Sequence, residues 1–141
     1  WSPGYNKDRA VIKKIQRRFT KMIPAMKDMS YEERLRSLGL WSLEERRNRA
    51  DLIQVYKMAT GHSAPRFDEF FCLSGDERTR GHSMKLSKNR SRLNLRQHFF
   101  SERVITLWNG LRDDVVTAAS INQFKKKLDT LRLEKMDLFR D

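Results

Sequence analysis

Between Arg78 and His98 the chain has no Asp or Glu, although its 141 residues include 18 of them. The same stretch holds Arg78, Arg80, Lys85, Lys88, Arg90, Arg92 and Arg96. An ordinary solvated face mixes both signs, so a run of one sign calls for an external counter-charge. Other shortages narrow the possibilities. One cysteine, Cys72, excludes an internal disulfide and fits a reducing compartment, nucleus or cytoplasm. No apolar run approaches the roughly 20 residues that span a bilayer, and no signal peptide is visible. The chain opens on Trp1 without an initiator Met and is expected to be a piece of a longer polypeptide.

What is present is charge and helical period. A net charge of +12 and a pI near 10.3 place RNA or DNA first among partners, ahead of membranes or small molecules. Aromatic residues make up 10%, too many for a disordered tail, so a single helical domain over residues 1–141 is expected. Its parts are a helical region (1–61), a connection (62–77), a basic segment (78–100) and a second helical region (101–141).

Ile12, Ile15, Phe19, Met22 and Ile23 recur at spacings of mostly three and four, the stripe of an amphipathic helix that should stop at Pro24. Lys14 and Arg18, with Lys21, occupy another side and are candidate phosphate contacts. Ser30 with Glu33, and Ser42 with Glu45, have the spacing of capping boxes; Gly39 and Gly61 can close the two helices those boxes open. Ser101 and Ser120 are expected to cap two more helices, with Val104, Leu107, Trp108 and Leu111 as the apolar side of one. Ile121, Phe124, Leu128, Leu131 and Leu138 form that side of the other.

Between these helices the period changes. Arg92, Asn94, Arg96 and His98 alternate with Leu93, Leu95 and Phe99, and Met84 and Leu86 alternate with polar neighbours. That pattern predicts two strands turning at "KNR" (88–90), with Asn89 able to take a positive φ. The expected fold class is therefore mainly α, about five helices with one basic β-hairpin. Its outward residues, including His82 and His98, would meet phosphates and unpaired bases.

Catalytic chemistry finds no foothold. His62, Cys72, His82 and His98 are ten or more residues apart, whereas zinc sites need close ligand pairs, so no metal or cofactor is expected. "GHS" (81–83) lacks the second glycine of a nucleophile elbow. Asp113 and Asp114 follow "NGLR" between helices and read as an interhelical loop rather than a two-metal pair. The chain reads as a binder without an enzymatic activity of its own.

The segments "WSPGYNKDRAVIKKIQRRFTKMIP", "SYEERLRSLGLWSLEERRNRADLIQVYKMATG" and "TRGHSMKLSKNRSRLNLRQHFFSERVITLWNGL" resemble the reverse transcriptases of non-LTR (LINE-type, Jockey-group-like) retrotransposons. The similarity is to the region C-terminal to fingers, palm and thumb, and runs from Trp1 to about Leu128. It departs from the expected pattern at Ala50 and Arg112, where Gly and Pro would stand, and carries no Cys/His knuckle. The resemblance implies an RNA-directed DNA polymerase with an endonuclease, acting by target-primed reverse transcription, whose catalytic domains lie upstream. In such a protein this region grips template RNA or target DNA and adjoins the polymerase domains. A helical module docking on the polymerase or on a host factor, in an active element or a domesticated cellular protein, is the alternative.

Overall fold

The computed structural model describes residues 3–75, 80–90 and 92–134, without the side chains of Asn94 and Leu95. Arg78 and Leu138 lie outside the described residues. The helices are α1 (Asn6–Lys21), α2 (Tyr31–Ser37), α3 (Leu43–Ala59), α4 (Phe67–Phe70), α5 (Asn94–Gln97), α6 (Phe100–Asn109), α7 (Asp113–Val116) and α8 (Ile121–Glu134), with a 3₁₀ turn at Pro24–Met26. The fold is mainly helical. The five longest helices correspond to the five expected from the sequence, and α4, α5 and α7 are single turns.

Local chemistry accounts for the boundaries. Ser30 and Glu33 bond reciprocally, Ser30 N–H to Glu33 Oε2 at 2.8 Å and Glu33 N–H to Ser30 Oγ at 3.3 Å. Ser42 and Glu45 do the same at 2.8 and 3.2 Å, starting α3. Beyond α2, Gly39 has φ +62 and Leu40 N–H reaches back to Leu35 O; beyond α3, Gly61 has φ +73 and His62 N–H reaches Lys57 O. Both are left-handed caps that glycine adopts without steric cost. Ser120 Oγ accepts from Gln123 N–H and caps α8. Ser101 caps nothing: α6 begins at Phe100, with Phe99 in the capping position and no side-chain bond there.

The chain separates into two compact units, Trp1–Arg47 and Asn48–Asp141, divided within α3. In the first, α2 lies against the side of α1 that carries Gln16 and Thr20. The buried side chains there are largely polar. Arg34 donates from Nε to Thr20 Oγ1 (3.1 Å) and from Nη1 to Met29 O; Tyr31 donates its hydroxyl to Gln16 Oε1 (2.7 Å), whose Nε2 reaches Trp41 O (3.0 Å). Arg17 stacks over the Tyr31 ring at 4.9 Å. Burial pushes the Tyr31 hydroxyl pKa above its usual range, against the nearby charge of Arg17. Of the stripe predicted to pack, Ile15, Phe19 and Met22 are exposed, and only Ile12 and Ile23 are half-buried. The seven-residue α2 is too short to cover two sides of α1, and its polar residues match Gln16 and Thr20.

The second unit has an apolar core of Leu52, Val55, Val104, Trp108, Val115, Phe124 and Leu128. Tyr56 stacks on Phe124 with ring centroids 4.3 Å apart, and its hydroxyl donates a hydrogen bond to Ala118 O. Arg103 clamps Asp51 with two bonds of 2.7 and 2.9 Å and also holds His98 O at 2.9 Å. Arg49 similarly holds Asp129.

The expected hairpin does not form. Leu86 makes an isolated antiparallel bridge with Leu73, so the first predicted strand pairs backward along the chain. The second is replaced by a turn of helix, α5, entered by Arg96 and Gln97 N–H groups bonding to Leu93 O. Two facts explain it. The alternation from Arg92 to His98 is short enough to suit a helical turn, and Leu86 has no open edge left. Its N–H and C=O, which point away from Leu73, are taken by Asn109. Asn89 does not take a positive φ either.

Candidate nucleic-acid interface

The basic segment is held by side chains of the second unit's core. Trp108, fully buried on α6, donates its indole N–H to Met84 O at 2.8 Å. Asn109 beside it uses its amide as a stand-in for a neighbouring strand: Oδ1 accepts from Leu86 N–H (2.7 Å) and Nδ2 donates to Leu86 O (2.8 Å). On the other side, Ser74 N–H bonds Lys85 O and Ser87 N–H bonds Cys72 O. Residues 84–87 are thus bonded along both edges, which fixes the backbone at Lys85 and immediately before Lys88.

His82 belongs to this anchor and not to the surface. It is buried edge-on to Trp108, rings 5.9 Å apart at 85°. Trp108 O, 2.9 Å from Nε2, can only accept, and the Met84 N–H, 3.2 Å from Nδ1, can only donate. The proton therefore sits on Nε2. As a candidate phosphate or base contact His82 is withdrawn, because both ring nitrogens are engaged inside the protein.

The cations divide by what they touch. Lys85 is half-buried; its stem crosses Gly81, where an added Cβ would stand 2.5 Å from Lys85 Cε, and its ammonium bonds Arg80 O. Gly81 also has φ +135, a backbone conformation that favours glycine. Lys88 is exposed and touches Thr106 Oγ1 at 3.1 Å. Arg80, Arg90, Arg92 and Arg96 are exposed, and none makes an ion pair among the described residues. His98 is half-buried, its carbonyl committed to Arg103. Lys14 and Arg18 are exposed on α1, in the other compact unit.

Aromatics around the segment pack mainly with one another. Phe100 lies 5.7 Å from Phe71, which is buried, and 6.5 Å from Phe70, while Phe99 is exposed. Asp113 and Asp114 form the first turn of α7, with Asp114 paired to Arg112 at 3.2 Å. Among the described residues no three His, Cys, Asp or Glu side chains stand together to hold a metal ion, and no helix is long and apolar enough to cross a membrane.

Sequence reasoning missed Asn109 as a fixture of the site. Its one available sign was the run "WNG" beside a cation-rich segment, since amides make good strand substitutes but are equally common in turns. The geometry defines a mainly helical chain whose second unit carries exposed cations on either side of a clamped stretch, residues 84–87. Comparison with protein-family models, curated proteins and solved structures finds no match for the chain.

Proposed function

We propose that this chain is the nucleic-acid-binding C-terminal region of a non-LTR, Jockey-group-like retrotransposon reverse transcriptase, gripping template RNA or target DNA during target-primed reverse transcription. Endonuclease and polymerase chemistry would belong to upstream domains of the same polypeptide, and the working compartments would be cytoplasm and nucleus. The carrying observation is that Arg80, Lys88, Arg90, Arg92 and Arg96 are exposed on an acid-free stretch, part of whose backbone is clamped by Trp108 and Asn109. A clamped backbone lowers the ordering cost of binding, and guanidinium groups suit phosphate oxygens geometrically. The remaining support is the resemblance of the three quoted segments.

Binding of a fluorescent single-stranded RNA, titrated with salt, tests this. Five cations meeting phosphates at about 0.7 each give a slope of log K against log[salt] of about −3.5. Replacing Arg92 and Arg96 together with Ala should flatten it by about 1.4 and weaken binding across unrelated sequences. Replacing Arg66 and Arg112, which already pair with Asp68 and with Asp114 and Glu134, should change it far less. A folded Arg92→Ala/Arg96→Ala chain that keeps both affinity and slope would overturn the proposal.

A further inference from the structure

The apolar stripe of α1 is turned to solvent. Val11, Ile15, Phe19 and Met22 are 63%, 67%, 66% and 70% exposed. Spacings of four, four and three set them on one side of the helix, over about 17 Å at 1.5 Å per residue. Single exposed apolar residues are ordinary, but four aligned on one helix are a contact surface. Among the described residues of the first unit none covers them, since α2 packs on the Gln16–Thr20 side.

A row of charge runs alongside. Lys14, Arg18 and Lys21, at spacings of four and three, border the stripe, and none makes an ion pair among the described residues. Asp8, the one acid of α1, lies on the stripe's own side. Each possible occupant can be weighed against this layout. A second copy would bring another +12 of net charge and the same cations face to face. An anionic bilayer would meet Asp8 within the very stripe it has to bury. A nucleic-acid strand would find one stacking plane, Phe19, among aliphatic neighbours instead of successive platforms. A helix with its own apolar stripe and a flank of carboxylates matches both the apolar anchors and the cation row.

We propose that the outward face of α1, the Val11–Met22 stripe edged by Lys14, Arg18 and Lys21, docks an acidic amphipathic helix of a partner protein. The site belongs to the first unit, and the proposal does not depend on the role of the cationic segment around Leu86 in the second.

The test uses the whole chain and a panel of labelled designed helices, each of about 18 residues with a leucine stripe, their flanks either glutamate or lysine. Fluorescence anisotropy at about 0.1 M salt should show glutamate-flanked helices binding about tenfold or more tighter than their lysine twins. Ile15→Glu/Phe19→Glu should remove that binding while circular dichroism stays unchanged, because both positions are exposed. Lys14→Glu/Arg18→Glu should invert the preference toward lysine flanks. Arg92→Ala/Arg96→Ala should leave peptide binding intact, which separates this site from RNA binding. Equal affinity for both flanks, or no binding by any helix of the panel, overturns the proposal. So does dimerisation, phosphatidylserine-vesicle binding or RNA binding that is lost in Ile15→Glu/Phe19→Glu while the helices fail to bind.

Discussion

In the first unit the side chain most withdrawn from solvent is Thr20; in the second, Trp108 is the largest of several that are wholly buried. Around Thr20 the contacts are directional: Arg34 to its hydroxyl, the hydroxyl to Gln16 O, Gln16 to Tyr31 and Trp41. Around Trp108 the rings of His82 and Phe124 pack against a wholly buried indole, which donates to Met84 O, while Trp108 O accepts from His82. A directional cluster specifies one geometry and fails when a member is lost; an apolar core is limited by the volume it fills. The contrast teaches where an apolar stripe goes. On α6 it meets Phe124 of α8 and disappears; on α1 the polar α2 packs on the Gln16–Thr20 side and the stripe stays outside.

Removing the largest apolar piece should have the largest effect. Trp108→Ala should cost about 3–5 kcal/mol, read as lost thermal stability, because it leaves a cavity beside Phe124 and also unpairs Met84 O. A variant melting within a degree or two of the parent would mean the second unit is not organised around this indole.

Asn109→Ala asks whether the second unit also relies on a directional lock. Both Leu86 backbone groups lose their partner, for about 1–3 kcal/mol. Hydrogen exchange at Leu86 should accelerate more than at Val55, and RNA affinity should fall with it. Uniform exchange across both would show that the clamp is dispensable.

The sharpest comparison lies on one helix. Thr20→Val keeps the shape but strips Arg34 Nε of its acceptor, and should cost about 1–3 kcal/mol in urea unfolding. Ile15→Glu, hydrophobic to charged, should stay within about 0.5 kcal/mol. A reversed order would place the stripe inside.

How much of this could be read beforehand depended on range. The ends of α2 and α3 were legible because Ser30, Glu33, Gly39, Ser42, Glu45 and Gly61 act within a few residues of themselves. Burial of Trp108 was legible because its stripe met others of matching length. The exposed side of α1 was not, since period shows that a stripe exists and says nothing about what will cover it. The hairpin failed for the same reason: whether residues 92–98 could pair with 84–87 turned on Asn109, a distant side chain that had already closed the edge. His82 was placed among the phosphate contacts because its neighbours are cationic, and only the tertiary structure sets its ring against Trp108.

The smallest effect concerns the cap of α2. Contact with the Ser30 hydroxyl and then the Ser30 backbone N–H hold the Glu33 carboxyl below the usual carboxylate range. A folded-state pKa below the unfolded one means that this contribution is present above the ordinary glutamate pKa and fades as pH falls through the lowered value. An NMR titration should place the Glu33 midpoint beneath that of other exposed glutamates, and Ser30→Ala should raise it. An unmoved midpoint would remove the capping box as the cause.

The amide of Asn109 has one more consequence. A bridged pair such as Leu73–Leu86 normally leaves a row of unpaired backbone groups, and a protein concentrated along a polyanion brings many such rows close together. Here Trp108 and Asn109 cover the outer groups of Met84 and Leu86, so no incoming strand can bond there. The same two residues that hold residues 84–86 in place thus deny neighbouring copies a β template along the Leu86 edge.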